Sequence, residues 1–171
     1  MVLTSARTNE SMNQSPNDKS LRDQLLSLLN GGNAHLGFED FVKDFPVAKC
    51  GQRLEGLPYT AWQVLEHMRI AQWDILEFSR DPNHVSPKWP KGFWPNVDEV
   101  GSADLWNETV EKFRRDLKEM QDLVADPSTD LFAEIPHGTG QTILREALLL
   151  ADHNSNHLGA LIVMSRLLGV R

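Results

Sequence analysis

The sequence is poor in cysteine, in positive charge and in long apolar runs, and each shortage excludes a class of protein. A single cysteine, Cys50, can form no internal disulfide, which excludes a disulfide-stabilised scaffold. Lys and Arg number 17 against 24 Asp and Glu, and the resulting formal charge of -7 disfavours nucleic acid and anionic membranes as partners. The longest apolar runs, 147–151 and 160–164, are far shorter than a membrane-spanning helix.

The length and the first residues predict one intracellular domain behind a tail. A chain of 171 residues suits a single domain with its own core. Residues 1–17 are rich in Ser, Asn, Thr and Gln, which predicts a disordered N-terminal tail before a domain of residues 18–171. The opening residues carry no apolar segment of the signal-peptide kind, so we expect a cytoplasmic protein.

Apolar residues recur with helical spacing in four stretches, and no stretch alternates as a strand would. The first stretch, 20–45, is interrupted by Gly31 and Gly32, so it is either two helices or one long helix with a weak point. We favour one long helix that ends before Pro46. The others are 61–79, 102–124 and 141–168, and the predicted N-caps are Asp18 or Ser20, Thr60, Ser102 and Thr139. The sequence therefore predicts an all-α four-helix bundle.

A long crossover, residues 80–101, joins the second and third predicted helices. It is rich in proline and carries Trp89, Phe93 and Trp94, which predicts an ordered segment that packs on the bundle. We expect Phe93 or Trp94 to lie near the mouth of a cavity that holds His67. The alternative is that these rings close one end of the bundle, far from the histidines.

Two histidines of the last helix have the spacing of metal ligands. His153 and His157 lie one turn apart on one face, so both rings can reach a single cation. The same face continues through Leu150, Leu161 and Met164, which points the rings toward the core. A metal ion would satisfy their nitrogens there, and the alternative is bonding to a carbonyl, a hydroxyl or a water.

A third histidine strengthens the metal hypothesis. His67 lies in the middle of the second helix, at the rim of its apolar face. Three histidines from two helices would leave a coordination position open, which is typical of catalytic rather than structural sites. The neighbouring acidic residues, Glu66 and Asp152, either orient the ligands or lie on the solvent side, and we favour the solvent side.

The remaining candidates receive weaker assignments. His35 could line the same cavity or could be a surface or packing residue. His84 and His137 lie in connectors and are predicted to be solvated. Cys50 has no base near it in sequence and is not expected to be a nucleophile. The tryptophans within the predicted helices are expected to be packing or helix-surface residues, namely Trp62, Trp73 and Trp106.

Two strings resemble the DinB-like superfamily. Residues 57–76, LPYTAWQVLEHMRIAQWDIL, are similar to its second helix, and residues 144–159, LREALLLADHNSNHLG, are similar to its last helix. The resemblance implies up-down-down-up order and a divalent metal, usually nickel or zinc, bound by His67, His153 and His157. It also implies a metal-dependent hydrolase or a thiol-dependent transferase. Asn156 departs from the aromatic residue that many relatives have before the last histidine, which changes the wall of the site.

These observations lead to one leading functional hypothesis and one alternative. The leading hypothesis is a divalent-metal enzyme that acts on an unknown small substrate. The alternative is a non-catalytic metal- or ligand-binding dimer of the stress response. The wide apolar surface and the family resemblance both favour a homodimer.

Overall fold

Helices make up the regular structure of residues 15–169, the part of the chain that the computed structural model describes. Within those residues there is no β-strand, only an isolated bridge between Glu134 and Thr142, so the all-α prediction is confirmed. The five α-helices are α1 Pro16–Asn30, α2 Phe38–Asp44, α3 Ala61–Arg80, α4 Ala103–Ala125 and α5 Ile143–Leu167. Two short 3-10 helices span Val47–Lys49 and Lys91–Phe93.

The predicted tail overlaps the start of the first helix. Helix α1 begins at Pro16, and its N-cap is Ser15 rather than Asp18 or Ser20, because the Ser15 side chain accepts a hydrogen bond from the Asp18 amide. A proline in the first turn lacks only an amide that would have no helical partner there. The rest of the predicted tail, residues 1–14, lies outside the described residues.

The prediction of one long helix up to Pro46 is wrong, because the chain turns at the two glycines. Gly31 and Gly32 adopt φ of 69° and 76°, a left-handed conformation that glycine reaches without a steric penalty. The Gly31 amide donates to the Leu28 carbonyl at 3.0 Å and closes α1. A separate helix, α2, therefore starts at Phe38.

This turn allows α2 to bury its aromatic residues against α4. Phe38 stacks on Phe113 with ring centroids 4.2 Å apart, and Phe45 stacks on Trp106 at 4.4 Å. Burial of these large aromatic side chains favours the turn over a continuous helix.

Capping residues explain where the other helices begin. Thr60 and Ser102 cap α3 and α4 as predicted, and Thr60 forms a reciprocal capping box with Gln63. For α5 the predicted cap, Thr139, is wrong, because the chain is still extended at Thr142, which forms a bridge with Glu134. Thr142 is the N-cap instead, and its hydroxyl accepts a hydrogen bond from the Arg145 amide at 3.1 Å.

Helix α3 lies at the centre of the domain and packs on both α4 and α5. One end of the core is built around α2 and the other around the connector before α5. The largest fully buried apolar side chains include Leu65, Met68, Leu76, Trp106, Phe113, Met120, Leu131, Leu150 and Leu161. Within residues 15–169, no helix has the length and apolarity needed to span a membrane.

The crossover is fixed along α3 by polar contacts. The side-chain nitrogen Nε2 of Gln63 donates to the carbonyls of Asn96, Val97 and Glu99 at 3.0–3.2 Å. The Thr60 hydroxyl donates to the Val100 carbonyl at 2.8 Å. These bonds hold the crossover against the first turn of α3, which agrees with the prediction of an ordered segment.

A buried arginine of α1 binds carbonyl oxygens at and just after the C-terminal end of α4, and its loss should destabilise the domain. Arg22 is 5% exposed and donates to the carbonyls of Val124, Asp126 and Thr129. We expect Arg22→Met to lower the free energy of unfolding by about 3 kcal/mol, because one buried carbonyl and two partly buried carbonyls would lose a charged donor. Urea unfolding measures the effect.

A matched control uses an exposed cation of the same helix. Lys19 pairs with Asp23, and both side chains are more than half exposed. We expect Lys19→Met to change the free energy of unfolding by less than about 1 kcal/mol. Equal losses in the Arg22→Met and Lys19→Met variants would contradict the role given to Arg22.

Candidate metal centre

Three histidines converge between α3 and α5. His67 comes from α3, and His153 and His157 come from successive turns of α5. The Nε2 atom of His67 lies 3.2 Å from Nε2 of His157 and 3.2 Å from Nε2 of His153. One nitrogen from each residue lies within 4.8 Å of the other two. The structure thus brings together the three residues selected from the sequence.

The His67 ring is oriented by the crossover. Its Nδ1 atom lies 2.7 Å from the carbonyl oxygen of Phe93. A carbonyl can only accept, so Nδ1 carries the proton and donates, and the neutral ring has its lone pair on Nε2. That lone pair is directed into the cluster. A backbone carbonyl behind a ligand ring is the usual device that fixes its tautomer.

The hydrogen-bonding capacity of the cluster is left partly unused by the protein. Nε2 of His67 has one lone pair but two imidazole neighbours at the same distance, so it can accept from only one of them. Nδ1 of His153 is buried and makes no hydrogen bond of good geometry with a described residue, although the Asn154 side chain is close enough to raise the pKa of the ring. Buried nitrogens in this state are costly unless something binds them.

A divalent ion fits this geometry. Zinc–nitrogen bonds of about 2.0–2.1 Å at tetrahedral angles place the ligand nitrogens about 3.3 Å apart. The two nitrogen–nitrogen distances of 3.2 Å to His67 are close to that value. These two spacings are therefore compatible with a divalent ion held by the three residues.

Burial keeps the cluster neutral. Desolvation lowers the pKa of His153 to about 4, with help from the neighbouring imidazoles, and lowers the pKa of His157 to about 4 in the same way. Desolvation also lowers the pKa of His67, although the bond to the Phe93 carbonyl opposes it. Neutral imidazole is the form that binds metals, so the site is ready to bind at neutral pH.

The lowered pKa values predict acid sensitivity of the metal-free protein. Between about pH 6.5 and pH 4 the unfolded chain binds protons on these histidines and the folded chain does not. Stability should therefore fall as the pH falls through this range. Urea unfolding of the chelator-treated protein at several pH values measures it.

The control for this prediction is a variant that removes one titrating group. We expect the free energy of unfolding of His157→Gln to depend less steeply on pH than that of the parent protein, because the variant lacks one histidine whose pKa is lowered by folding. Carboxylate titration contributes to both proteins and does not affect the comparison. Identical slopes for the two proteins would contradict the lowered pKa of His157.

Aromatic rings form one wall of the site. Trp94 stacks on His67 with ring centroids 3.9 Å apart and planes 4° apart, and its other face stacks on Tyr59 at 3.9 Å. The crossover thus contacts His67 twice, through the Trp94 ring and the Phe93 carbonyl. The prediction that one of these residues lies near His67 is confirmed. Sequence reasoning missed Tyr59, although the only tyrosine of the chain directly precedes the predicted cap of α3.

The acidic neighbours, Glu66 and Asp152, form no hydrogen bond or ion pair with the histidine cluster. Glu66 is half-buried, forms an ion pair with Arg69 at 2.7 Å and accepts from the Thr109 hydroxyl at 2.9 Å. The solvent-side prediction is therefore wrong for Glu66, because α4 covers that side of α3. Asp152 is exposed, as predicted.

The other histidines lie outside the cluster. His35 is exposed, lies 3.0 Å from the Ser155 hydroxyl, and lines a separate cavity of about 120 Å³ beside α1. The prediction that His84 is solvated is wrong, because its side chain is only 7% exposed and its Nε2 lies 2.7 Å from Asp74. His137 is half-buried, so it is not fully solvated either, and its Nε2 lies 2.6 Å from the Phe78 carbonyl oxygen. Both histidines are covered because their connectors fold back onto α3.

The remaining candidates are structural. Cys50 is buried, and desolvation raises the pKa of its thiol, which disfavours the reactive thiolate. Trp62 and Trp106 are buried and Trp73 is half-buried, in agreement with their predicted packing roles. Trp62 donates through its indole nitrogen to the Thr109 hydroxyl at 3.1 Å.

Comparison with protein families supports the resemblance. The sequence model of the DinB superfamily matches residues 37–161, a span that includes α2, α3, α4 and the part of α5 that carries both histidines. The match confirms the similarity inferred from the two helical strings. No match was found among curated proteins or among solved structures.

Proposed function

Because the chain belongs to the DinB superfamily, we propose that it is a metal-dependent enzyme whose divalent ion is bound by His67, His153 and His157. The observation that carries the proposal is the convergence of the three Nε2 atoms, with the lone pair of His67 directed among them by the Phe93 carbonyl.

The number of ligands favours a catalytic site over a structural one. The group contains three histidines, and within residues 15–169 no further His, Cys, Asp or Glu belongs to it. Three protein ligands leave a position open to water or substrate. When bound, a divalent ion would act as a Lewis acid that lowers the pKa of a water or a thiol, the chemistry of hydrolases and thiol transferases alike.

We propose nickel or zinc as the metal, because imidazole suits both ions. The protein's own residues would hold the ion and keep the ligand rings neutral. Elemental analysis of the purified protein tests the proposal, which expects about one ion per chain. A protein that stays metal-free after incubation with nickel and with zinc would refute it.

We also propose the up-down-down-up bundle order of α1, α3, α4 and α5. Contacts along α3 and α4 advance together, from Trp62 with Thr109 to Arg80 with Glu119, which is the pattern of parallel helices. Helix α1 runs against α4, since Arg22 meets Val124 and Asn30 meets Gln121. Contacts of His67 with His157 and of Gln72 with Asn154 make α5 antiparallel to α3.

We also propose that the chain forms a homodimer. A dimer is compatible with the metal-dependent enzyme and with the alternative, a non-catalytic ligand-binding protein of the stress response. The crossover exposes large apolar side chains, since Trp89 is 70% exposed and Val85 is 84% exposed. Exposed aromatic residues of this kind are enriched in interfaces. A cytoplasmic location stays a prediction from the sequence.

Light scattering tests the dimer. We expect a mass of twice the 19.3 kDa chain at micromolar concentration, and a single-chain mass for Trp89→Glu, because a buried charge would oppose association. Lys88→Glu, next to it in the crossover, should remain dimeric. A single-chain mass for the parent protein would contradict the proposal.

A further inference from the structure

A groove of about 470 Å³ runs from the histidine cluster along α5. One side is formed by the segment before α3 together with Trp94, and the other side by the outer stripe of α5. Its lining residues are Leu57, Pro58, Tyr59, Val64, Trp94, His157, Ala160, Val163, Met164 and Leu167. The volume is within the usual range of small-molecule sites, about 300–1,000 Å³.

The lining is almost wholly apolar. It contains no Lys, Arg, Asp or Glu, and its two polar side chains are Tyr59 and His157. His157 lies at one end and Leu167 near the other, and ten helical residues correspond to about 15 Å of groove. A ligand that enters this groove meets apolar surface along its length and one imidazole, which belongs to the histidine cluster.

The wall opposite α5 is rigid. Trp94 is held between Tyr59 on one face and His67 on the other, with both ring stacks at 3.9 Å. Its edge faces His157, with ring centroids 6.3 Å apart and planes 80° apart. The ring that shapes the groove therefore also supports a cluster histidine, so the groove and the cluster form one preorganised unit.

We propose that the substrate carries an uncharged apolar group, alkyl or aryl, that lies in this groove while its reacting end lies at the histidine cluster. The inference rests on the proposed function, because the cluster supplies the reacting end. A charged group would lose its hydration in the groove without finding a partner. A second copy of the chain is the competing occupant, since Val163 is 52% exposed and Leu167 is 62% exposed. The concave shape and the continuity with His157 favour a small molecule.

The test uses straight-chain hydroxamic acids of increasing length, from acetohydroxamate to octanohydroxamate, on the zinc-loaded protein. Calorimetry measures affinity, and NMR of the Val163 and Leu167 methyl groups locates the chain. We expect affinity to rise about fourfold per methylene until the groove is filled, the ratio expected for burying one CH₂ group. Val163→Asp should remove the gain for the longer chains, because residue 163 lies about 9 Å along the helix axis from His157.

The matched control is Leu148→Asp, a similarly exposed leucine of α5 that lies about 22 Å along the helix axis from Val163. It should preserve the chain-length dependence. Equal affinity for short and long hydroxamates would overturn the proposal while leaving the metal site intact. So would a parent dimer that Val163→Asp converts to monomers, because the groove would then be an interface between copies.

A metal-free arm separates this inference from the proposed function. If zinc does not bind, the proposed function fails. Addition of 1-octanol to the metal-free protein then tests whether the groove binds an apolar small molecule. Shifts of the Val163 and Leu167 methyl signals in the parent protein, together with loss of the Leu167 shift in Val163→Asp, would support an apolar ligand site. Absence of those shifts would overturn it.

Discussion

Replacing His153 with alanine is expected to abolish stoichiometric binding of a divalent ion. Two imidazoles would remain, and they are too few to hold the ion against water and chelators at neutral pH. We expect the same of His157→Ala, and a fall in affinity of at least about 100-fold for each. Inductively coupled plasma mass spectrometry after dialysis measures the bound metal.

The matched control is His35→Ala. His35 is an exposed histidine that contacts α5 through Ser155 but lies outside the cluster, so its loss should leave the metal content unchanged. Circular dichroism would verify that all variants stay helical. Full occupancy in a folded His153→Ala, His157→Ala double variant would contradict the ligand assignment.

Metal is also expected to stabilise the folded protein strongly. An ion that binds only the native state adds about 4 kcal/mol when its free concentration is a thousand times the dissociation constant. For a domain of this length, that corresponds to a rise of about 8–16 °C in the melting temperature. Differential scanning fluorimetry of the chelator-treated protein, with and without added zinc or nickel, measures the shift.

The same measurement on His67→Ala distinguishes metal binding at the histidine cluster from non-specific effects of the added ion. This variant loses both a ligand and the ring that stacks on Trp94, so added metal should no longer raise its melting temperature. Magnesium, which prefers oxygen ligands, serves as the control ion and should leave the parent protein unchanged. An equal shift with magnesium would show that the stabilisation does not come from the histidines.

The core of the site could be predicted because its signals are local. A spacing of four residues places His153 and His157 on one helical face whatever the rest of the fold does. The apolar stripe of the same helix turns that face inward. His67 follows from the same periodicity on α3, and the packing of α3 against α5 brings the two inner faces together.

The parts that were wrong depend on contacts between distant segments. The turn at Gly31 and Gly32 is favoured because it lets Phe38 reach Phe113, a partner far away in sequence. His84 becomes buried because the crossover returns to Asp74 on α3. Tyr59 joins the site only through Trp94, which lies in another connector. No local pattern specifies these pairings.

X-ray absorption spectroscopy at the edge of the bound metal observes the proposed ligand shell itself. For the zinc-loaded protein, we expect three imidazole nitrogens at about 2.0–2.1 Å, with the multiple-scattering features of histidine rings and one further light ligand. His153→Ala should lose one imidazole from that shell or lose the metal altogether. A shell with sulfur at about 2.3 Å, or one without histidine features, would contradict binding by the three histidines.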